Sequence, residues 1–216
     1  QYIVKTASES KHGYLKGLIW RGDGLKPSPD NSQSPERQKE KVYLGIDVGA
    51  ASTNIVILDE NKKLLRKRYL MTEGEPIESV KKGLLDIAKG IEDLVEVQGV
   101  GVTGSGRYFV GDFVGADVVI NEITAQARAT MEIDDTVDTI FEIGGQDSKF
   151  IRLKNGAVVD FEMNKVCAAG TGSFLQEQAA RLGIRIEEFS DLAFNSKQPA
   201  DLGTRCTVFM ESDLIH

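Results

Sequence analysis

Two stretches of this chain follow one plan. Residues 45–70, GIDVGAASTNIVILDENKKLLRKRYL, and residues 141–163, FEIGGQDSKFIRLKNGAVVDFEM, each place an acid between apolar residues just ahead of a glycine. A small polar turn follows in both, then a strand, a tight turn and a return strand. Asp47 matches Glu142, Gly49 matches Gly144, and AASTN (50–54) matches GQDSK (145–149). A repeat of this kind constrains the chain to build one supersecondary unit twice. Turns of that composition free backbone N–H groups and small hydroxyls, which hold phosphate oxygens. The acid ahead of the turn suits a hydrated Mg²⁺. Two such turns facing each other would clamp a polyphosphate from both sides. A single strand–acid–glycine turn is commonplace, and both acids also read as satisfied strand-end carboxylates. The matched position of the two acids is what favours the phosphate reading.

The pattern around the repeat is α/β. VYLGIDV (42–48), NIVILD (54–59) and KLLRKRYL (63–70) have strand composition. PIESVKKGLLDIAKGIEDL (76–94) carries apolar residues at 77, 80, 84, 87, 91 and 94, which predicts a helix over the whole stretch. VQGVGVT (97–103) reads as a strand, GRYFVGDFV (106–114) as a short helix, and ITAQARATM (123–131) as another helix. TIFEIGG (139–145), KFIRLK (149–154) and AVVDFEM (157–163) read as strands, the last two flanking Asn155-Gly156, a strong hairpin signal. FLQEQAARLGI (174–184) is helical, with Gly183 where a C-cap stands.

Composition bounds the partners. The 216 residues are 41% hydrophobic and 27% charged, enough for one or two globular domains with a sizeable core. A formal charge of -7 argues against nucleic acid or an anionic membrane, since both need basic clusters. No apolar run is long enough to span a bilayer, and the N-terminus has no signal-peptide core. Two cysteines are too few for a secreted disulfide framework, which favours a reducing cytoplasm. Residues 26–41, KPSPDNSQSPERQKEK, hold three of the five prolines and almost nothing apolar, so 1–41 reads as an upstream segment (with an apolar patch, YLKGLIW) and a linker. Because the chain opens on Gln1 rather than Met, it reads as a piece of something longer. Domain I is then expected over 42–140 and the start of domain II over 141–216.

GIDVGAAST and FEIGGQDSK resemble the two phosphate motifs of the actin-like ATPase superfamily, which includes sugar kinases and heat-shock chaperones. EMNKVCAAGTGSFL (162–175) and RCTVFMES (205–212) resemble the cysteine motifs of the 2-hydroxyacyl-CoA dehydratase activators, relatives of the benzoyl-CoA reductase ATPase subunits. The resemblance runs from about Val42 to the C-terminus and is carried by the cysteine motifs more than by the phosphate motifs. It implies a ribonuclease-H-like, actin-like ATPase fold with a mixed sheet and a second domain of the same type. It also implies a homodimer holding one [4Fe–4S] cluster, and ATP hydrolysis that drives one electron into a 2-hydroxyacyl-CoA dehydratase or related reductase. In the superfamily a late glycine-rich segment holds the adenosine, and no candidate for it occurs here, so domain II is expected to be incomplete.

Residue by residue, the resemblance implies that Asp47 and Glu142 serve Mg²⁺, with Asp47, Gln146 and Asp147 placing metal and attacking water. Gly49, Ser52, Thr53, Asn54, Gly144 and Gly145 would hold phosphates, and Cys167 with Cys206 would bind iron. Glu142 departs from the aspartate usual at that position, and its longer arm changes how a metal is held. Gln146 and Asp147 also read as ordinary turn residues. Spacing alone favours two buried cysteines, since 167 and 206 form no ligand signature. A [4Fe–4S] cluster wants four thiolates and one chain offers two, so the cluster reading requires two chains. A zinc site is a poor rival, because only His12 and His216 are available and neither lies in a cysteine motif. The glycines and alanines around Cys167 leave room for a cluster, and the helix begun by TGSF would turn its positive end toward it. Thr103, Ser105 and Arg107 in GVTGSGR read equally as part of the nucleotide side and as a plain strand-to-helix turn. Lys165 beside Cys167 reads either as a solvated charge or as tuning the cluster. The alternative function is a small-molecule kinase of the same superfamily, acting on a sugar or acid, with structural cysteines; a third is an ATP-sensing module without turnover.

Overall fold

The computed structural model describes residues 39–164 and 167–215. Nearly all of the expected linker, together with Lys165, His12 and His216, lies outside the described residues. The chain divides into two compact units after Thr136, where the sequence puts the boundary after residue 140.

The first unit opens with a meander, β1 (Glu40–Val48), β2 (Ser52–Asp59) and β3 (Leu64–Met71). Helix α1 (Pro76–Ala88), β4 (Val95–Thr103), α2 (Arg107–Val114), β5 (Val118–Val119) and α3 (Glu122–Ile133) follow. The sheet order is β3-β2-β1-β4-β5, antiparallel on the meander side and parallel from β1 through β4 to β5. Strand alternation sets the core. Val42, Leu44, Ile46 and Val48 of β1 are buried with Val80, Leu84 and Ile87 of α1 and Val110 and Val114 of α2. Tyr43, Gly45 and Asp47 consequently project from the opposite face, which leaves the acid exposed at the strand's end.

Helix α1 stops at Ala88, six residues before the apolar periodicity ends. Gly90 adopts φ +76, and the next N–H groups fold back in turns, Ile91 onto the Ala88 carbonyl and Leu94 onto that of Ile91. Ile91 still packs on the core, so the period survives the loss of the helix.

The second unit begins as the first did. Strands β6 (Thr139–Ile143), β7 (Ser148–Lys154) and β8 (Ala157–Asn164) form an antiparallel sheet in that order. Asn155 and Gly156, at φ +52 and +76, make the tight β7–β8 turn that the dipeptide predicts. Helices α4 (Gly172–Arg181), α5 (Ile186–Asn195) and α6 (Thr207–Ile215) complete it. α4 ends in a Schellman motif: Gly183 N–H donates to the Ala180 carbonyl and Ile184 N–H to that of Ala179, with Gly183 at φ +68. Among the described residues no helix is long and apolar enough to cross a membrane.

Candidate functional site

The two matched turns are built alike. In the first, Gly49 N–H donates to the Ser52 carbonyl at 2.8 Å; in the second, Gly144 N–H donates to the Asp147 carbonyl at 2.9 Å. Asp47 pairs in register with Asn54 across β1 and β2, and Glu142 pairs with Lys149 across β6 and β7. The repeat therefore extends from sequence into hydrogen bonding, residue for residue.

Around the first turn, Asn54, Asp47 and Thr103 stand in one row across β2, β1 and β4. They line a pocket of about 150 Å³ together with Gly45, Val56 and Ala125. The Thr103 hydroxyl is buried with no hydrogen-bond partner among the described residues. Gly104 sits at φ +93 against the end of β1, where an added Cβ would lie 2.3 Å from the Val48 carbonyl oxygen and 2.6 Å from Asp47 Oδ1. Gly106 N–H also donates to the Val48 carbonyl. The TGSGR segment is the strand-to-helix turn between β4 and α2, and it packs directly behind the first turn. Arg107 Nη1 donates to the Gly104 carbonyl at 2.9 Å and pairs with Glu122 at 3.2 Å. Thr72 braces the turn from below: its hydroxyl donates to the Gly49 carbonyl at 2.9 Å, and its N–H to that of Ala51. Thr53 is fully buried and its hydroxyl lies 3.0 Å from that of Thr72. Since the single Thr72 proton goes to Gly49, Thr53 is the donor. Of the residues expected at the phosphates, Thr53 can therefore offer only its backbone, while Ser52 and Asn54 are half-buried at the turn.

In the second turn the two acids are not alone. Lys149 is buried, and its Nζ lies 2.8 Å from Glu142 Oε2 and 2.6 Å from Asp147 Oδ1. Burial pulls the pKa of the Lys149 ammonium downward, but the hydrogen bonds it donates to the two carboxylates more than offset this, and its pKa stands above the ordinary lysine value. Each carboxylate keeps one oxygen off the lysine, which suits Mg²⁺, a cation that usually takes one or two carboxylates and keeps several waters. Gln146 is exposed at the tip. The sequence reading took Lys149 as the last letter of a polar turn; its register opposite an acid was the signal that would have found it.

The turn is also bonded to the helix that follows Cys167. Gly172 N–H donates to the Gly144 carbonyl at 2.9 Å, and Ser173 N–H to that of Gly145 at 2.8 Å. Both hydroxyls flanking this point, Thr171 and Ser173, donate to the Gly145 carbonyl as well. Gly172 allows this close approach, since an added Cβ would lie 3.3 Å from the Gly145 Cα and the turn would have to give by a few tenths of an ångström. The first amides of α4 are thus engaged by the turn, where the sequence reading aimed that helix end at a cluster.

Cys167 and Cys206 are both free and exposed, against the buried pair that their spacing favours. A Cβ built on Gly170, in the Cys167 loop, would lie 4.0 Å from Thr207 Oγ1, next to Cys206. That hydroxyl is buried and unpartnered among the described residues, and Ala169 N–H approaches Cys167 Sγ at 3.4 Å. Two exposed thiols in neighbouring loops, with an amide aimed at one sulfur, fit the ligand chemistry of an iron–sulfur cluster as half of a four-thiolate set. Among the described residues no group of three or more His, Cys, Asp or Glu gathers for a metal.

The meander, its 3-2-1-4-5 sheet and the paired acid–glycine turns define an actin-like ATPase fold. Residues 44–216 match the BadF/BadG/BcrA/BcrD ATPase family, and the chain belongs to it. It is 34% identical over 176 residues to the (R)-2-hydroxyglutaryl-CoA dehydratase activating ATPase of Acidaminococcus fermentans, covering 80% of this chain and 65% of that protein. The activator of the 2-hydroxyisocaproyl-CoA dehydratase from Clostridium difficile, solved with bound ADPNP, superposes with a TM-score of 0.68 at 31% identity, covering 81% of this chain and 64% of that one. A ROK family glucokinase from Streptomyces griseus, in complex with glucose and AMPPNP, shares the fold alone, with a TM-score of 0.54 at 14% identity over 80% of this chain and 74% of its own. The chain thus spans about two thirds of the length of the activators it matches.

Proposed function

We propose that this chain is the ATP-hydrolysing, electron-transferring part of an activator for a 2-hydroxyacyl-CoA dehydratase or related reductase. The observation that carries the reading is the join between the second turn and the cysteine loop. Four hydrogen bonds run from Thr171, Gly172 and Ser173 to the carbonyls of Gly144 and Gly145, so the turn cannot shift without moving the start of α4.

In this reading Gly49 and Gly144, whose own N–H groups close the two turns, leave room for phosphate beside the backbone, and Ser52 and Asn54 of the first turn, with Gly145 and Gln146 of the second, hold its oxygens through backbone N–H groups and side chains. Asp47 holds a water of the Mg²⁺ shell, and Asp147 orients the water whose oxygen bonds to the γ-phosphorus as the bond to the β,γ-bridging oxygen breaks. Glu142 contributes the oxygen that Lys149 leaves open. Cys167 and Cys206 hold half of a [4Fe–4S] cluster, the partner copy supplying the other half. A cluster bound there supplies one-electron transfer, the electron coming from an external low-potential donor.

Asp47→Asn tests the phosphate half, because it keeps the size of the side chain and removes its charge. In the full-length chain ATP turnover is expected to fall by about two orders of magnitude or more, with the fold intact by circular dichroism. Turnover within a few-fold of wild type would remove Asp47 from the metal site.

A further inference from the structure

The second turn sets a buried cation across from its acid. Opposite Asp47 stands the neutral Asn54; opposite Glu142, at the matching register position, stands Lys149. The row across the strands therefore does not itself demand a charge. Yet this lysine is only 6% exposed, and burying an ammonium costs several kcal/mol unless it is well paired. Its pairing is close, 2.8 Å to Glu142 Oε2 and 2.6 Å to Asp147 Oδ1. The carboxylates crowd one spot, since a Cβ built on Gly144 would lie 3.0 Å from Glu142 Oε1 and 3.3 Å from Asp147 Oδ1. Without a cation between them, two like charges so placed would repel and spread the turn.

We propose that Lys149 is a built-in monovalent cation of the second turn, a positioning residue whose ammonium fills the place between Glu142 and Asp147 that K⁺ or NH₄⁺ would otherwise take. This rests on reading residues 144–147 as a phosphate turn. Lysine suits the task better than arginine because its charge is compact and its three donors are not held in a plane. Two of the donors meet the carboxylates. The turn is thereby held in its phosphate-binding shape before nucleotide arrives, and the site needs no monovalent salt.

The test is chemical rescue in the full-length chain. Lys149→Ala removes the ammonium and leaves a slot for a small cation. Two readouts are taken against ammonium chloride, with tetramethylammonium chloride at equal ionic strength as the control: the melting temperature without nucleotide, and the affinity for Mg·ADP by calorimetry. We expect the variant to melt below wild type and to bind Mg·ADP about 10–100-fold more weakly, the usual cost of losing a group that orients metal ligands. Ammonium should restore most of both losses, tetramethylammonium neither, and wild type should respond to neither salt. Equal rescue by the two salts overturns the proposal, as does wild-type behaviour of the variant. Where the alanine variant fails to fold, Lys149→Arg and Lys149→Met decide: the charge-keeping arginine should bind Mg·ADP more tightly than the length-keeping methionine, and the reverse order overturns the proposal. If wild type itself binds no Mg·ADP, it is the phosphate reading that fails, and the melting readout still judges the cation slot.

Discussion

Gly104 and Gly90 both adopt positive φ, +93 and +76, but only Gly104 has neighbours that an added methyl group would strike. Alanine at 90 should cost only the strain of a left-handed backbone, about 1 kcal/mol. Alanine at 104 adds a collision with the Val48 carbonyl and the Asp47 carboxylate, so the end of β1 must move. Expected outcomes are a clearly larger loss in the urea midpoint for Gly104→Ala than for Gly90→Ala, and loss of Mg-nucleotide binding for Gly104→Ala alone. Equal effects of the two substitutions would show that Gly104 is a plain turn glycine. At this scale the sequence showed which residues belong to the turns, because small and acidic residues at matched positions are legible as a pattern. It did not show what stands behind them. Gly104 and Thr72 reach the first turn by loop docking, which no local pattern records, whereas Lys149 was marked by its register opposite an acid and was passed over as the end of a polar turn.

Helix α4 joins the second acid–glycine turn to the cysteine loop, and its hydrogen bonds can be loosened singly. Thr171 is fully buried, and its hydroxyl shares its one proton between the Ala168 carbonyl at 2.5 Å and that of Gly145 at 3.1 Å. Thr171→Val keeps the shape and removes both bonds, a loss of about 1–3 kcal/mol. Nucleotide affinity should stay within a few-fold, while nucleotide should change the rate at which Cys167 is alkylated in metal-free protein less than it does in wild type, read by peptide mapping. A nucleotide effect on alkylation as large as in wild type would show that the join does not carry the signal. On the same helix Gln178 is 1% exposed, with Nε2 and Oε1 both lacking partners among the described residues. Methionine there matches its length and removes the unmet polar groups, so Gln178→Met should raise the melting temperature by about 2 °C or more. A lower melting temperature by calorimetry would mean that the amide is satisfied in solution. Strong period and turn chemistry made most elements legible, among them the Asn155-Gly156 hairpin and the Gly183 cap. Helix α1 was overextended because Ile91 and Leu94 continue its period through a turn that packs on the same core. Helices α5 and α6 were not read out: α5 repeats Ile186, Phe189 and Leu192 at helical spacing yet buries none of its residues, and α6 follows directly on a cysteine loop.

For the molecule as a whole, the cysteines turn a count of ligands into a statement about assembly. One chain has two thiols, both exposed and both in the second unit. If they hold a [4Fe–4S] cluster, a second copy must complete it, and iron should amount to about four atoms per two chains, with acid-labile sulfide to match. Removing the cluster then removes an intersubunit crosslink, so the dimer should loosen as the colour bleaches. Cys167→Ser and Cys206→Ser should behave nearly alike, because each deletes two ligands from one symmetric site. Cysteines with only a packing role would behave otherwise. Being exposed, they would contribute little stability, and replacing them would leave the mass in solution unchanged. Wild type and both serine variants of the full-length chain are therefore to be purified anaerobically, their iron counted and their masses compared by light scattering. Wild type without iron after reconstitution sinks the cluster, and so does a Cys206→Ser variant that keeps a full complement. Iron retained in wild type by a monomer would keep the metal and remove the dimer, since two thiolates of one chain would then have recruited ligands from elsewhere.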